Sequence, residues 1–480
     1  MSEIVRDQKT ARVEADFSRD ADFPLVKKFG VYICTYVSLD RMLRDLELLR
    51  ELKPCGVRYD PGWGFGNDDG PNSPREFNAP QISGTRDHLV IRFDEFDRLT
   101  EKLAGHGVDI LYVHAYNPLP LQNPSDAGPA KMNGNLNMRS NWNTMPSDLQ
   151  AWERINYEYA KHWKDKGWKV KYYEIWNEPD LQPVFFTGTK EQYFQIYKHG
   201  ALGVKRADPD AKVGGPVLSS DQSWIEPFLD FVQSEGLPLD FFSYHLYGPA
   251  AGVVESIRGI LKRRPEMEGI ETIISEYNTY VPATSDFTTG GAIERYEAAS
   301  FLLQEFKYFA EQPDIRSVYW AQYNDPEVFG EGVDRCGLIS LDGRRKAAFN
   351  AFKIYADMPV DRKRFESHDD AIDGMASADG KRSCAVLWNR SDRDKIVDLR
   401  LHGLGLSRGR FRLYRIDADH ASVFDRSGSD RLEVVEEMPL ERTDACHWTG
   451  TLPAKGVIYA VVAREEDGFH TVASSSQLAR

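Results

Sequence analysis

The sequence predicts an α/β fold: a (β/α)8 TIM barrel followed by a C-terminal antiparallel β-sandwich. Three observations carry that prediction. Between about residues 28 and 355, eight short apolar runs alternate with longer amphipathic ones. After about residue 358 the amphipathic runs stop, and short β-rich segments follow, separated by Gly, Ser and Asp turns. No glycine-rich phosphate turn follows the first apolar run, although the rival doubly wound sheet normally carries one there.

The eight candidate strands are Val31–Cys34, Gly56–Arg58, Asp109–Val113, Tyr172–Ile175, Lys212–Gly214, Asp240–Tyr244, Thr272–Glu276 and Ser317–Trp320. Helical patterns lie between them at Leu39–Leu52, Phe93–Leu103, Leu149–Lys166, Lys190–Ala207, Trp224–Ser234 and Arg295–Glu311. In the first of these, Leu43, Leu46, Leu49 and Leu52 form a stripe able to cover a sheet. Strands alternating with helices imply parallel βαβ units. Eight units over this length fit a barrel with insertions. Beyond it, Cys384–Trp388, Lys395–Leu401, Arg410–Ile416, Arg431–Glu436 and Gly456–Val462 read as strands of a sandwich. The expected division is residues 1–25 as an N-terminal extension, 26–357 as barrel, 358–468 as sandwich and 469–480 as a frayed tail. Arg12–Phe17 alternates polar and apolar residues and is a candidate extra strand of the sandwich.

Composition narrows the function classes. The net charge of −14 disfavours phosphate backbones and anionic bilayers, so neither nucleic acid nor a membrane is an expected partner. The polar N-terminus lacks the apolar segment of a secretory signal, giving a cytoplasmic expectation. Five scattered cysteines (Cys34, Cys55, Cys336, Cys384, Cys446) show no CxxC pairing and read as reduced and structural.

A (β/α)8 barrel places its site at the C-terminal ends of the strands. Two strand ends carry acids. The fourth strand runs into Asn177-Glu178-Pro179, and the seventh runs into Glu276-Tyr277-Asn278. These strands lie nearly opposite each other, so the two carboxyls can face one cleft. A single glutamate after a strand is most often an ion-pair or capping residue. Two at matched strand ends, flanked by Trp176 and Tyr277, suit glycoside hydrolysis, which needs a proton donor and a second carboxylate across the scissile bond. No second His or Cys accompanies His245 at ligand spacing, so no metal and no cofactor are expected. The reading requires the two carboxyls to converge on one hollow. It also requires that neither be tied up in a buried arginine clasp.

Several blocks then carry a resemblance. EIWNEP (174–179), VGGPV (213–217), SWIEPFLDF (223–231), LDFFSYHLY (239–247), IISEYNTY (273–280) and VYWAQYNDPE (318–327) appear in order. With CGLISLDGRRKAAFNAF (336–352) and AVLWN (385–389), they resemble glycoside hydrolase family 39, typified by β-xylosidases. The resemblance implies Glu178 as acid/base and Glu276 as nucleophile of a retaining double displacement. It implies Asn177 donating to a sugar 2-hydroxyl, His245 and Tyr247 lining the sugar site, Trp320 as a stacking floor and Glu327 binding hydroxyls. Tyr277 is a further candidate beside the nucleophile.

The sequence departs from the xylosidase pattern at two points. Trp63 stands where xylosidases carry a sugar-binding His between glycines, and Tyr244 stands where they carry Arg before the sixth-strand His. Both changes are expected beside the sugar pocket. Gly62, Gly64 and Gly66 read as a loop over that pocket, and Asn117–Asn143 as a second rim loop. The expected substrate is a xylo-oligosaccharide or related glycoside, and a homo-oligomer is among the expected assemblies. Alternatives within the chemistry are β-glucosidase or β-galactosidase, α-L-iduronidase, and an endo-acting exopolysaccharide hydrolase. An iduronate carboxylate would need a basic pocket, for which Arg58 and Arg335 are the candidates. The alternative from another class is a non-catalytic carbohydrate-binding protein.

Overall fold

The computed structural model describes residues 10–34, 37–61, 81–123, 131–132, 136–137, 141–168, 170–278, 291–326 and 335–464. Trp63, Glu327, the 62–66 glycine run and, within the 117–143 insertion, residues 124–130, 133–135 and 138–140 lie outside the described residues.

In chain order the strands are β1 (Ala11–Asp20), β2 (Phe29–Ile33), β3 (Gly56–Tyr59), β4 (Ile82–Thr85), β5 (His88–Ile91), β6 (Asp109–His114), β7 (Lys131–Met132), β8 (Leu136–Asn137), β9 (Val170–Ile175) and β10 (Lys212–Leu218). They continue with β11 (Phe241–Tyr247), β12 (Glu271–Asn278), β13 (Ile315–Trp320), β14 (Arg362–Ser367), β15 (Ile372–Ala378), β16 (Arg382–Asn389), β17 (Lys395–Ile416), β18 (Val434–Leu452) and β19 (Val457–Arg464). The eight strands β2, β3, β6, β9, β10, β11, β12 and β13 close into a parallel barrel, each pairing with the next and β13 pairing back to β2. All eight coincide with the strands expected from the apolar runs.

The helices are α1 (Leu39–Asp45), α2 (Leu49–Leu52), α3 (Asp94–Gly105), α4 (Leu149–Lys166), α5 (Lys190–Ala207), α6 (Ile225–Glu235), α7 (Ala250–Lys262), α8 (Glu297–Ala310) and α9 (Ala347–Asp357). The caps explain where the long ones begin and end. Asp148 accepts the Gln150 and Ala151 N–H groups at the start of α4, and Gly167 ends it at φ 70°. Thr189 and Gln192 form a reciprocal capping box at the start of α5. The inner face of α4 buries Trp152, Ile155, Tyr159 and Trp163. Each such side chain contributes roughly 1.5–3 kcal/mol of burial.

One expected helix is broken. Leu39–Leu52 is α1, a 3-10 turn at Leu46–Leu48, and α2. Leucines spaced by three match the three-residue turn of a 3-10 helix better than the 3.6-residue α-helix. Lys53, at φ 42°, stops the run.

The barrel floor is filled from inside. A Cβ on Gly30 would lie 2.6 Å from the Tyr319 ring, and one on Gly56 would lie 2.8 Å from its hydroxyl. The glycines make room for that ring, which seals the end away from the strand C-termini.

The second layer system is a seven-stranded antiparallel arrangement in the order β1-β14-β15-β16-β19-β17-β18, with β1 also pairing in parallel to β17. The segments expected as two strands, Lys395–Leu401 and Arg410–Ile416, are one strand of 22 residues. Its first part pairs with β1 and its second part with β19. The ladder with β18 slips between His402 and Leu406. There Gly403 (φ 71°) passes so close to Ser18 that a Cβ would lie 2.7 Å from the Ser18 nitrogen. That bend carries the strand from one sheet of the sandwich to the other. Val13, Ala15, Leu387, Leu399, Leu413 and Ile458 fill the space between. No helix of the described residues is long and apolar enough to cross a membrane.

Candidate active site

Strand alternation sorts the side chains at the open end of the barrel. On β11, His245 faces inward and Tyr244 outward. On β12, Glu276 faces inward and Tyr277 outward. His245 and Glu276 are register partners on adjacent strands. Glu178 follows β9, its N–H donating to the carbonyl of Val217 at 3.0 Å. The result is a compact set: one atom each of Glu178, His245 and Glu276 lie within 4.8 Å of one another. The two expected acids therefore converge.

Glu276 is held at both oxygens. Arg58 Nη1 donates to Oε1 at 2.7 Å, and the Tyr247 hydroxyl donates to Oε2 at 2.6 Å. His245 Nδ1 bonds Glu178 Oε1 at 2.8 Å and lies 3.7 Å from Glu276 Oε2. Arg58 also donates from Nε to Glu174 at 2.8 Å and from Nη2 to Asn177 Oδ1 at 2.7 Å. Fixing the Asn177 oxygen in this way leaves its NH2 group as the donor. The guanidinium also lies over the Tyr32 ring, 4.6 Å from its centroid.

A buried arginine thus does meet Glu276, contrary to the sequence expectation. It makes a single bond to one oxygen, not a two-pronged clasp, and shares its remaining donors with Glu174 and Asn177. The contact sets a fixed positive charge against one oxygen of the candidate nucleophile and leaves the other to Tyr247.

Burial, then the nearby Asp180 charge, pushes the Glu178 carboxyl up to about 8, with Arg58 opposing. Burial pushes the His245 imidazole below its usual range. Glu178 is therefore a protonated carboxyl beside a neutral imidazole at neutral pH. Among the described residues, no hydrogen-bond partner meets the buried His245 Nε2. The Glu178, His245 and Glu276 atoms would also be in reach of one cation. The guanidinium already bonded to Glu276 disfavours a second positive charge there, and the raised Glu178 carboxyl suits acid–base work.

Four sequence expectations need correction. Tyr277 is fully buried on the outer face of the barrel, with its ring 5.3 Å from Phe309 and 6.3 Å from Phe29. It follows an inward residue and so points outward. Tyr244, for the same reason, packs beside Phe242 and under the influence of Tyr308, Asp314 and Arg258, not beside the sugar pocket. Arg58 is fully buried in the carboxylate network and is not a free cation for a substrate carboxylate. Trp320 is also fully buried, its indole N–H donating to the Cys336 carbonyl at 3.2 Å, so its ring presents no exposed face.

Sequence reasoning missed Glu174 as a site residue and missed Arg58 as the partner of the two site carboxylates. The signal was present: a charged residue inside an otherwise apolar strand (GVRY, VKYYEI) must point into the barrel and find a partner there.

A sequence profile of the glycosyl hydrolases family 39 matches residues 140–391. The chain belongs to glycosyl hydrolases family 39. The match spans β9 to β16 and so includes both acids. Among curated relatives, a β-xylosidase of Caldicellulosiruptor saccharolyticus is 26% identical over 268 residues, covering 52% of this chain and 55% of that protein. A β-xylosidase of Geobacillus stearothermophilus is 28% identical over 347 residues, covering 65% of this chain and 64% of that protein. The chain thus spans between half and two thirds of the length of these two relatives. A solved family 39 enzyme from Xanthomonas axonopodis pv. citri superposes with a TM-score of 0.76 at 16% identity, over 96% of this chain and 99% of that one. That likeness extends the shared fold beyond the profile match to nearly the whole chain.

Proposed function

We propose that this family 39 protein is a retaining glycosidase, most closely a β-xylosidase. The observation that carries the reading is the carboxyl pair, with one oxygen of Glu178 and one of Glu276 no more than 4.8 Å apart. A retaining pair stands about 5–5.5 Å apart, and an inverting pair about 6.5–9.5 Å apart to admit a water.

In the proposed sequence Glu276 attacks the anomeric carbon. Glu178 gives its proton to the departing oxygen, so the glycosidic bond breaks as the glycosyl–Glu276 ester forms. Glu178, now a carboxylate, then takes a proton from water, whose oxygen attacks the same carbon and releases Glu276. Tyr247 and Arg58 hold the Glu276 oxygens during attack. The NH2 group of Asn177 is free to donate to the 2-hydroxyl, where such bonds strengthen in the transition state. Trp320 would have to become uncovered to act as a stacking floor. Trp63 and Glu327 remain proposed sugar contacts.

A screen of nitrophenyl glycosides tests the reading. The xyloside is the expected best substrate, with retention of configuration in the first-formed product. Glu276→Gln is expected to abolish turnover, and Glu178→Ala to be partly rescued by azide. Wild-type-like activity in either variant would defeat the assignment. A cytoplasmic site of action is part of the proposal, supported by five free cysteines. Fractionation of the native cell tests it.

A further inference from the structure

Asp180 lies two residues beyond Glu178 and has no part in the double displacement. Its Oδ1 accepts the Ser219 N–H at 2.7 Å. Its Oδ2 accepts the Ser219 hydroxyl at 3.0 Å, the Ser220 N–H at 2.9 Å and the Asp221 N–H at 2.8 Å. All four donors come from the loop after β10. The Glu178 N–H meets the same crossing through the Val217 carbonyl at 3.0 Å. The exits of β9 and β10 are therefore stitched together on both sides of the Glu178–Asp180 turn.

The backbone there needs holding. Trp176 (φ 76°), Glu178 (φ 46°) and Val217 (φ 58°) all sit in the left-handed region without being glycine. Such residues persist only where the surroundings over-determine them, and they cluster at functional sites. Among the described residues, the charged and titratable groups facing Glu178 are His245 and Tyr247 from β11, Glu276 from β12, Arg58 from β3 and Asp180 from its own segment. Strand β10 offers only a carbonyl.

We propose that Asp180 is the positioning residue of the acid/base: its carboxylate clamps the turn that carries Glu178 to the loop after β10. The inference rests on the reading of Glu178 as the acid. Burial alone raises a carboxyl, and a like charge nearby raises it further. Asp180 is the like charge that, after burial, raises the Glu178 carboxyl.

Asp180→Asn separates the two roles. The amide oxygen can take the place of Oδ2 and keep three of the four bonds, with the NH2 group then facing the Ser219 N–H. The readout is the 13C carboxyl signal of glutamate-labelled protein that disappears in Glu178→Gln, followed from pH 5 to 10. The midpoint is expected to fall by about 1 pH unit in Asp180→Asn, and the alkaline limb of kcat/KM to move with it. Asp180→Ala, which releases the loop, is expected to lower kcat at every pH by about tenfold.

An unchanged Glu178 midpoint in folded Asp180→Asn would overturn the charge role. Wild-type kcat in Asp180→Ala would overturn the clamp. If Asp180→Asn does not fold, Asp180→Ser gives the same readout, because its hydroxyl still accepts from the loop. The carboxyl titration decides even if the wild-type protein hydrolyses no glycoside, so failure of the proposed activity and failure of this inference are distinguishable.

Discussion

Arg58 and Glu276 are joined by a 2.7 Å hydrogen bond inside the barrel, and the arginine has no exposed surface. It is one guanidinium serving two carboxylates and an amide, with Glu174 and Asn177 at its other donors. Lysine keeps the charge but not the planar fork. Hydrogen bonds to charged groups contribute about 1.5–3 kcal/mol each, so Arg58→Lys is expected to lower kcat/KM by about 10²-fold or more. Arg58→Met leaves two acids unpaired and is expected to destabilise the fold by about 3–5 kcal/mol in urea titrations. Wild-type kinetics in Arg58→Lys would remove the arginine from the site.

The Glu178 proton links activity to stability. Its folded value of about 8 lies above the ordinary 4.5, so the folded state holds a proton that the unfolded chain has released between those pH values. The stability contribution is therefore fully present below about pH 4.5 and is lost as pH rises to about 8. Glu178→Gln carries no such proton. Its stability relative to wild type is expected to rise by a few kcal/mol between pH 5 and pH 9, read from melts at both pH values. A pH-independent difference would contradict a protonated Glu178. The alkaline limb of wild-type kcat/KM is expected near the same pH of about 8.

Tyr247 offers a more local test. Its hydroxyl donates to Glu276 Oε2 at 2.6 Å, the oxygen that also lies 3.7 Å from His245. Tyr247→Phe removes one donor and little volume. A bond of that kind contributes about 1.5–3 kcal/mol, so kcat is expected to fall by about 10- to 100-fold with KM changed less. A change confined to KM would make Tyr247 a substrate contact alone.

The legible part of the molecule was the part governed by periodicity. Eight apolar runs gave eight barrel strands because parallel strands covered on both faces read as continuous hydrophobic segments. Glu178 and Glu276 were legible because they end such runs. Side-chain direction was not legible at strand ends, where one residue's offset turns a pocket residue into a core residue. That offset separates His245 from Tyr244, and Glu276 from Tyr277. The bent β17 was illegible for a different reason: Gly403 and Gly405 read as a turn between two strands, whereas their left-handed backbone bends one strand without ending it.

Tyr277 turns that lesson into a last prediction. The sequence places it next to the nucleophile, yet its ring lies among Phe29, Phe309 and Trp320, at 6.3, 5.3 and 6.2 Å. These edge-to-face contacts join β12 to β2, β13 and α8 behind the sugar-facing surface. Removing a buried aromatic side chain costs about 3–5 kcal/mol through lost transfer energy and the remaining cavity. Tyr277→Ala is therefore expected to lose stability on that scale while keeping kcat within about threefold at temperatures where it stays folded. Tyr277→Phe keeps the ring and is expected to hold both stability and kcat near wild type. A pocket residue would behave in the opposite way, with Tyr277→Ala folding normally and hydrolysing slowly. Urea titration and steady-state kinetics on the same preparations distinguish the two.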